Sequence, residues 1–559
     1  MYRKNRFTAA VIFLLAGLCL SIGLTSTRAF AGQALLSEND GLYPRIVALS
    51  HNADNSKNGA IIASVTSFTG GGHEDIFVSH DHGLSFTLAG QVTDTNFNKG
   101  LCCGGLYELP VAIGAMPAGT LLWAGSVGGD TAAEPMQLRI FKSTDQGAHW
   151  AYLSNCATGS KPRNGGGLWE PEFTIGQDGK LICFYSDETE TGHSQVLKLT
   201  QSSDGVTWST PIEIVASNTQ ADRPGMANVV RLPDSSYLMS FEMCGPLNCA
   251  AFLKTSPDGV NWGDPASHGA AIATDNGATF WHTPTLAWAP VAGSATGQLV
   301  LQGQIFVKNG APITGNGKTL LLNAAGDGTG PWVAFDAATA ITMPAGTAGN
   351  FCQNYSSPLL ALDGGKKLLQ LASDFVSGNT CKTYFKVAPL GGVKASATTL
   401  SVAKGASATG TVSLRSSANQ AGVYNLSVDI PGLPAEVTLS DASVTLSAIT
   451  DTTVQVTVKP TTLAATNSRV LFAGLFGVAL LGLIGIRHKN GRVYPLLALL
   501  ALPLILTGCG GGGGSSGGGG GTTPTPVSTT YSGTLTATSA ADPTVTTSAP
   551  FTVTITKTS

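Results

Sequence analysis

Short apolar runs recur along the first two-thirds of the chain, each closed by a polar turn. Leu138 to Ser143 and Val196 to Ser202 are typical, with the length and texture of strands. The turns after them repeat a pattern. Ser79-His-Asp81-His-Gly83-Leu-Ser-Phe86 and Ser143-Thr-Asp145-Gln-Gly147-Ala-His-Trp150 share it in full. Ser202-Ser-Asp204-Gly205-Val-Thr-Trp208 and Ser256-Pro-Asp258-Gly259-Val-Asn-Trp262 are one residue shorter. The four Asp residues are 54 to 64 positions apart, a period that marks stacked supersecondary units. In such a turn the Asp and Ser side chains bond backbone amides, Gly takes a positive φ, and the aromatic ring pins the turn to the sheet. The Asp turns therefore read as structural. At roughly 58 residues per unit, residues 40–388 hold six units, and the pattern predicts an all-β, six-bladed β-propeller.

The texture changes at 391–460. Segments such as Tyr424-Asn-Leu-Ser-Val-Asp-Ile430 alternate with period two and predict a small immunoglobulin-like β-sandwich, a spacer without an aromatic platform. Two apolar runs come next, Val470 to Ile486 and Val493 to Gly508, separated by the basic stretch Arg487 to Arg492. They predict a transmembrane helical hairpin over 470–508 with its basic loop on the cytoplasmic side. Leu506-Thr-Gly-Cys509 has the form of a lipobox at an internal position, although the second helix is the preferred reading. Residues 509–526 are a Gly-rich linker and 527–559 a Thr-rich, short β tail. At the other end, Arg3, Lys4 and Arg6 precede an apolar core and Ala29-Phe-Ala31, so 1–31 reads as a secretory signal. The expectation is an exported protein held to the membrane by its C-terminal helices, with the propeller on the extracytoplasmic side.

Only 12% of residues are charged and the net charge is −3, which gives no electrostatic footprint for nucleic acid. Export allows disulfides among Cys102, Cys103, Cys156, Cys183, Cys244, Cys249, Cys352 and Cys381. Cys244 and Cys249 bracket a Gly-Pro turn and are the best candidate pair. Cys183, within an apolar strand, reads as a buried free thiol. No C-x-x-C pair with His at ligand spacing suggests a metal, and no cofactor is implied. Propeller chemistry is delivered at the axis by the ends of the innermost strands. Glu170 and Glu172, in Trp169-Glu170-Pro171-Glu172-Phe173, are two apart and expected on one face of a strand, with Pro171 biasing Glu170 towards extended geometry. Glu242 closes the apolar strand that begins at Tyr237. A pair of carboxyl groups is what glycoside hydrolysis needs.

Five segments occur in order between the Asp turns: WEPEF, FYSDE, Arg223-Pro-Gly-Met226, FEMCG and Asn354-Tyr355-Ser-Ser-Pro358. As a set they resemble the exo-α-L-arabinanases of glycoside hydrolase family 93. CCGGLYELP and AGTLLWAGS resemble bacterial relatives of that group, labelled only sialidase-like. The resemblance covers residues 40–388. It implies a six-bladed sialidase-like propeller that removes arabinobiose from the end of linear α-1,5-arabinan with retention, acting as a monomer on a polysaccharide or oligosaccharide. Carried over, Glu170 is the nucleophile, Tyr355 its hydrogen-bond donor, and Glu242 the general acid/base. Arg45, His51, Glu172, Asp222, Arg223 and His282 are candidates to line the pocket, and Trp169 and Trp281 to stack on a sugar ring. Two other functions fit parts of the pattern. A sialidase clamps its substrate carboxylate with three Arg side chains, and no Arg occurs between Arg231 and Arg415. A non-catalytic glycan-binding or adhesion propeller would suit the tether and spacer.

Overall fold

The computed structural model describes residues 32–343, 350–377, 379–403, 405–461, 527–543 and 545–557. The signal at 1–31, the apolar pair at 470–508 with Cys509, and the Gly-rich linker lie outside the described residues. Among those described, no helix is long and apolar enough to cross a membrane. Among the described residues, regular structure consists of strands and short 3-10 turns.

Six sheets form the propeller. Their inner strands are Gly41–Ala48, Leu101–Glu108, Leu168–Ile175, Arg223–Arg231, Thr285–Ala289 and Leu359–Leu362, blades 1 to 6 in order. Each inner strand packs beside the next, and that of blade 6 returns to blade 1, which closes the ring. The two ends of the domain are joined in the same closure. Ala34–Leu35 is the outer strand of blade 6, paired with Thr380–Pro389, so the start of the described chain and the end of the propeller share one sheet. Blade 4 is extended outward by Thr279–Trp281 and then by Ile305–Lys308, a strand contributed from between the second and third strands of blade 5.

The Asp turns follow the third strand of blades 1 to 4. Asp145 Oδ1 accepts from Ser143 Oγ at 2.8 Å and from the His149 amide at 2.9 Å, while the Gly147 amide donates to Ser143 Oγ at 3.0 Å. Their glycines show why no side chain fits. A Cβ on Gly147, at φ 88°, would lie 2.6 Å from Ile76 of blade 1. One on Gly83 would lie 2.8 Å from Leu369 of blade 6, and one on Gly205 2.5 Å from Met116 of blade 2. Each turn thus seats on the preceding blade. Because Ser79 pairs with Ile61, which pairs with Ala48, the Asp turns sit at the far end of the inner strands from Gly41.

The sandwich has one sheet of Val393–Ala395, Ala408–Ser416, Thr452–Pro460 and Ala435–Leu439. The other runs Thr398–Ala403, Thr546–Lys557, Val527–Ser539, Gly422–Asp429 and Ser443–Leu446. Residues expected as a separate tail are therefore two of its inner strands, and the sandwich is not confined to 391–460. Asn419 Nδ2 donates to the carbonyls of Pro290 (2.9 Å) and Gly365 (2.6 Å), fixing this domain to blades 5 and 6.

Among the described residues there are four disulfides: Cys102–Cys103, Cys156–Cys183, Cys244–Cys249 and Cys352–Cys381. Cys244 and Cys249 are joined, but Cys183 is not a free thiol. It faces Cys156, in the outer strand of the neighbouring blade, a proximity created by blade stacking rather than by sequence.

Candidate active site

Each inner strand enters the axis through a residue in the left-handed region: Tyr43 (φ 58°), Cys103 (65°), Glu170 (58°), Met226 (60°), Thr283 (47°) and Ser356 (56°). In blades 1 to 4 the sheet register slips at this point, between Leu42 and Arg45, Cys102 and Gly105, Trp169 and Glu172, and Gly225 and Asn228. These are β-bulges, which bend a strand and re-aim its side chains. They set the site. Tyr43, Cys103 and Met226 pack into one buried cluster against Leu42, Cys102 and Tyr355, and the Tyr43 hydroxyl lies 3.6 Å from Met226 Sδ across the axis.

The bulge overturns two expectations about Trp169–Phe173. Glu170 is not extended, although Pro171 comes after it, and Glu170 and Glu172 do not share one environment. Glu170 Oε2 accepts from Ser186 Oγ at 2.6 Å and from the Met226 amide at 3.1 Å. Glu172 Oε1 accepts instead from Asn228 Nδ2 at 3.1 Å, and Asn228 in turn receives the Leu286 amide, tying blades 3, 4 and 5. Glu242 Oε2 accepts from the Thr283 amide at 2.7 Å and lies 3.8 Å from His282 Nδ1. A regularity emerges. The amide of the left-handed residue donates to a side chain of the preceding blade: Glu170 to Ser126 Oγ (3.2 Å), Met226 to Glu170, Thr283 to Glu242, and Ser356 to Thr283 Oγ1 (3.0 Å).

Both key carboxyl groups are half-buried, deep but reachable by solvent. Burial raises the pKa of each. For Glu170 the rise is opposed by the Ser186 and Met226 hydrogen bonds and the Arg45 charge. Glu242 is pushed up to about 8, by burial first and then by the charge of Glu170, against the Thr283 amide and a distant Arg223. Burial likewise lifts Glu172 to about 7. Tyr355 is held well above the usual phenol range by burial and by both Glu242 and Glu170. It lies among the carboxylates, with its ring 6.1 Å from that of Tyr43, but Glu170 takes its hydrogen bonds from Ser186 and Met226 rather than from Tyr355.

Among the remaining candidates, Arg45 stacks 4.0 Å above the Tyr43 ring and donates to Ser356 Oγ at 2.9 Å. Arg223 pairs with Glu188 and donates to Gln195 Oε1 at 2.9 Å, at the start of the inner strand of blade 4. His282 is beside Glu242, and Trp169 and Trp281 are half-buried near the same end of their blades. Two candidates are not brought in. His51 lies past the far end of its inner strand, with Nδ1 2.7 Å from Glu108 Oε2. The buried Asp222 carboxylate is taken by Ser217 Oγ (2.6 Å) and His268 Nε2 (3.2 Å). A polar residue flanking a strand looks the same in sequence at either end, so the pattern alone does not separate His51 from a pocket residue, and it does not show that Asp222, at the site end, is taken up by its own partners.

Tyr43, Met226, Thr283 and the joined Cys102–Cys103 are parts of the site that were not among the candidate site residues, although Met226 and the two cysteines lie in segments that carry the resemblance. A signal existed for two bulges. Tyr43-Pro44 and Glu170-Pro171 both place Pro inside a strand, where it is tolerated chiefly at bulges or edges. Phe351 is a further one. It is 65% exposed and stands edge-on to Tyr355 at 5.4 Å, an open aromatic face at the rim. Glu242, Cys244, Cys249 and His282 bring possible metal-ligand atoms within 4.8 Å of one another, but both sulfurs are spent in the disulfide, and a ligating sulfur must be a thiolate.

No family model and no curated protein matches the chain. Solved structures do. The α-L-arabinanase of Penicillium chrysogenum complexed with arabinobiose is 24% identical, with a TM-score of 0.53, covering 64% of this chain and 98% of that one. The GH93 α-L-arabinofuranosidase of Fusarium graminearum with arabinobiose is 24% identical at a TM-score of 0.52, with the same coverage. The described six-bladed propeller thus shares its fold with these two structures.

Proposed function

We propose that the propeller is an exported, exo-acting glycoside hydrolase that cleaves α-1,5-arabinan or a related glycan with retention. The observation that carries this reading is the unequal treatment of two neighbouring acids. Glu170 has two hydrogen bonds and a nearby Arg45 to hold its negative charge; Glu242 has one amide and a raised pKa of about 8. The hydrogen bonds to Glu170 favour its charged form while burial favours the protonated form of Glu242, the division of labour that retaining hydrolysis requires. Glu170 attacks the anomeric carbon while Glu242 gives its proton to the departing glycosidic oxygen. Glu242, now ionised, then takes a proton from water as that water displaces Glu170 from the sugar. The arabinobiose held by both neighbours supports an arabinose-containing glycan, and the missing third Arg argues against a sialic acid.

The test is to incubate the protein with linear α-1,5-arabinan and, separately, with sialyllactose, and to identify the products and their anomeric configuration. Arabinobiose released in the retained configuration supports the proposal. Free sialic acid would assign a sialidase, and binding without release a glycan-binding propeller.

A further inference from the structure

The sandwich is assembled from two stretches of chain that are distant in sequence. The chain leaves it at Pro460 and re-enters at Val527. What returns is a β-hairpin that occupies the interior of one sheet, not its edge. On one side Phe551–Thr556 runs parallel to Thr398–Ala403. On the other, Thr534–Ser539 runs antiparallel to Tyr424–Asp429. Remove the hairpin and those two flanking strands have no partner between them. The apolar core would open as well. Leu535, Ala537, Phe551, Val553 and Ile555 are all buried, against Val402, Val412, Leu414, Tyr424, Val454, Val456 and Val458. The fit is close at the backbone too: a Cβ on Gly533 would lie 2.0 Å from the Asp429 carbonyl oxygen.

We propose that Val527–Lys557 is a complementing hairpin, a ligand of the sandwich in its own right, which keeps the two halves of the protein together even when the chain is cut between Pro460 and Val527. Main-chain pairing on both sides supplies affinity and alternate side chains supply specificity, as in other strand-addition complexes. The connection at 461–526 is then a tether and not a structural requirement of the fold. A cut before Cys509 would not free the propeller from the tail, but leave it attached through the sandwich. There is also a topological consequence. Both ends of 461–526 belong to one domain, so any membrane crossing within that segment occurs an even number of times.

The experiment uses the full chain in detergent, with a specific protease site placed among Gly510–Gly521. After complete cutting, gel filtration under native conditions is expected to show the C-terminal fragment co-eluting with the propeller fragment, and to separate them only in denaturant. Separation without denaturant would overturn the proposal. Leu535→Asp and Val553→Asp, each burying a charge in the sandwich core, are expected to lose co-elution after cutting. Retention of the fragment by both variants would also overturn it, because the association would then not run through this core. The uncut chain is expected to be monomeric; an obligate dimer would overturn docking of the hairpin into its own chain. Protease added to one side of sealed vesicles should reach tags on the propeller and at the C-terminus alike, and protection of only one of them would refute the even-crossing consequence.

Discussion

Glu242 offers a prediction in which chemistry and stability must change together. Its folded-state pKa of about 8 stands above the ordinary 4.5. Below pH 4.5 the folded and unfolded chains are both protonated and pH has no leverage. Between 4.5 and 8 the unfolded chain gives up this proton and the folded chain keeps it, so stability is lost as pH rises, until the folded carboxyl also ionises. At about 1.36 kcal/mol per pKa unit the whole window is worth at most roughly 4–5 kcal/mol. Glu242→Gln removes that titration while leaving an oxygen to accept the Thr283 amide. The variant should match the wild type near pH 4 and become the more stable protein by pH 9, by several kcal/mol. Urea melts of both proteins at pH 5 and pH 9 measure this directly. In the wild type the basic limb of kcat/KM should fall near pH 8, because the proton lost there is the one given to the leaving group. A stability gap between the two proteins that stays constant from pH 5 to pH 9 would refute the reasoning, since Glu242 would then titrate alike in both states.

Glu170→Gln should lower turnover by at least about 100-fold with little change in thermal midpoint, because it removes the nucleophile but spares the fold; an active variant would rule Glu170 out. Asp145→Ala should do the reverse, costing about 1–3 kcal/mol in denaturant melts through unsatisfied turn amides, with kcat unchanged in the folded fraction. Phe351→Ala should raise KM for arabinan with kcat preserved, since the ring is exposed at the rim and touches no carboxylate; steady-state kinetics showing an unchanged KM would remove it from the substrate path.

The propeller was legible in the sequence because its marker is local. Ser143, Asp145 and Gly147 satisfy one another within five residues, so spacing alone reveals the turn and its repetition reveals the blades. The acids Glu170 and Glu242 were legible as residue types at strand ends, but their geometry was not. A period-two pleat places Glu170 with Glu172, and a single bulge sends one to Met226 and the other to Asn228. The sandwich was only half legible for a different reason. Its 391–460 portion alternates cleanly, whereas two of its inner strands arrive from beyond residue 526, and a parallel pairing such as Thr398 with Phe551 leaves no short-range trace.

The six left-handed residues explain why the site forms where it does. A non-glycine residue in this region costs on the order of 1–2 kcal/mol, and none of the six is glycine. The cost is offset locally. A hydrogen bond contributes about 0.5–1.5 kcal/mol net, more where its acceptor is charged, and the Met226 and Thr283 amides each make one, to Glu170 and Glu242. The left-handed turn is what points each amide at the preceding blade instead of along its own sheet. Blades 3 and 4 therefore each supply a carboxylate that receives support from the next blade. The two acids occupy consecutive blades, so Glu170 is held by blade 4 while Glu242, within blade 4, is held by blade 5. A substitution that straightened the bulge at Met226 would consequently disturb both, moving the donor of one acid and the strand, through the Gly225–Glu242 pairing, that carries the other.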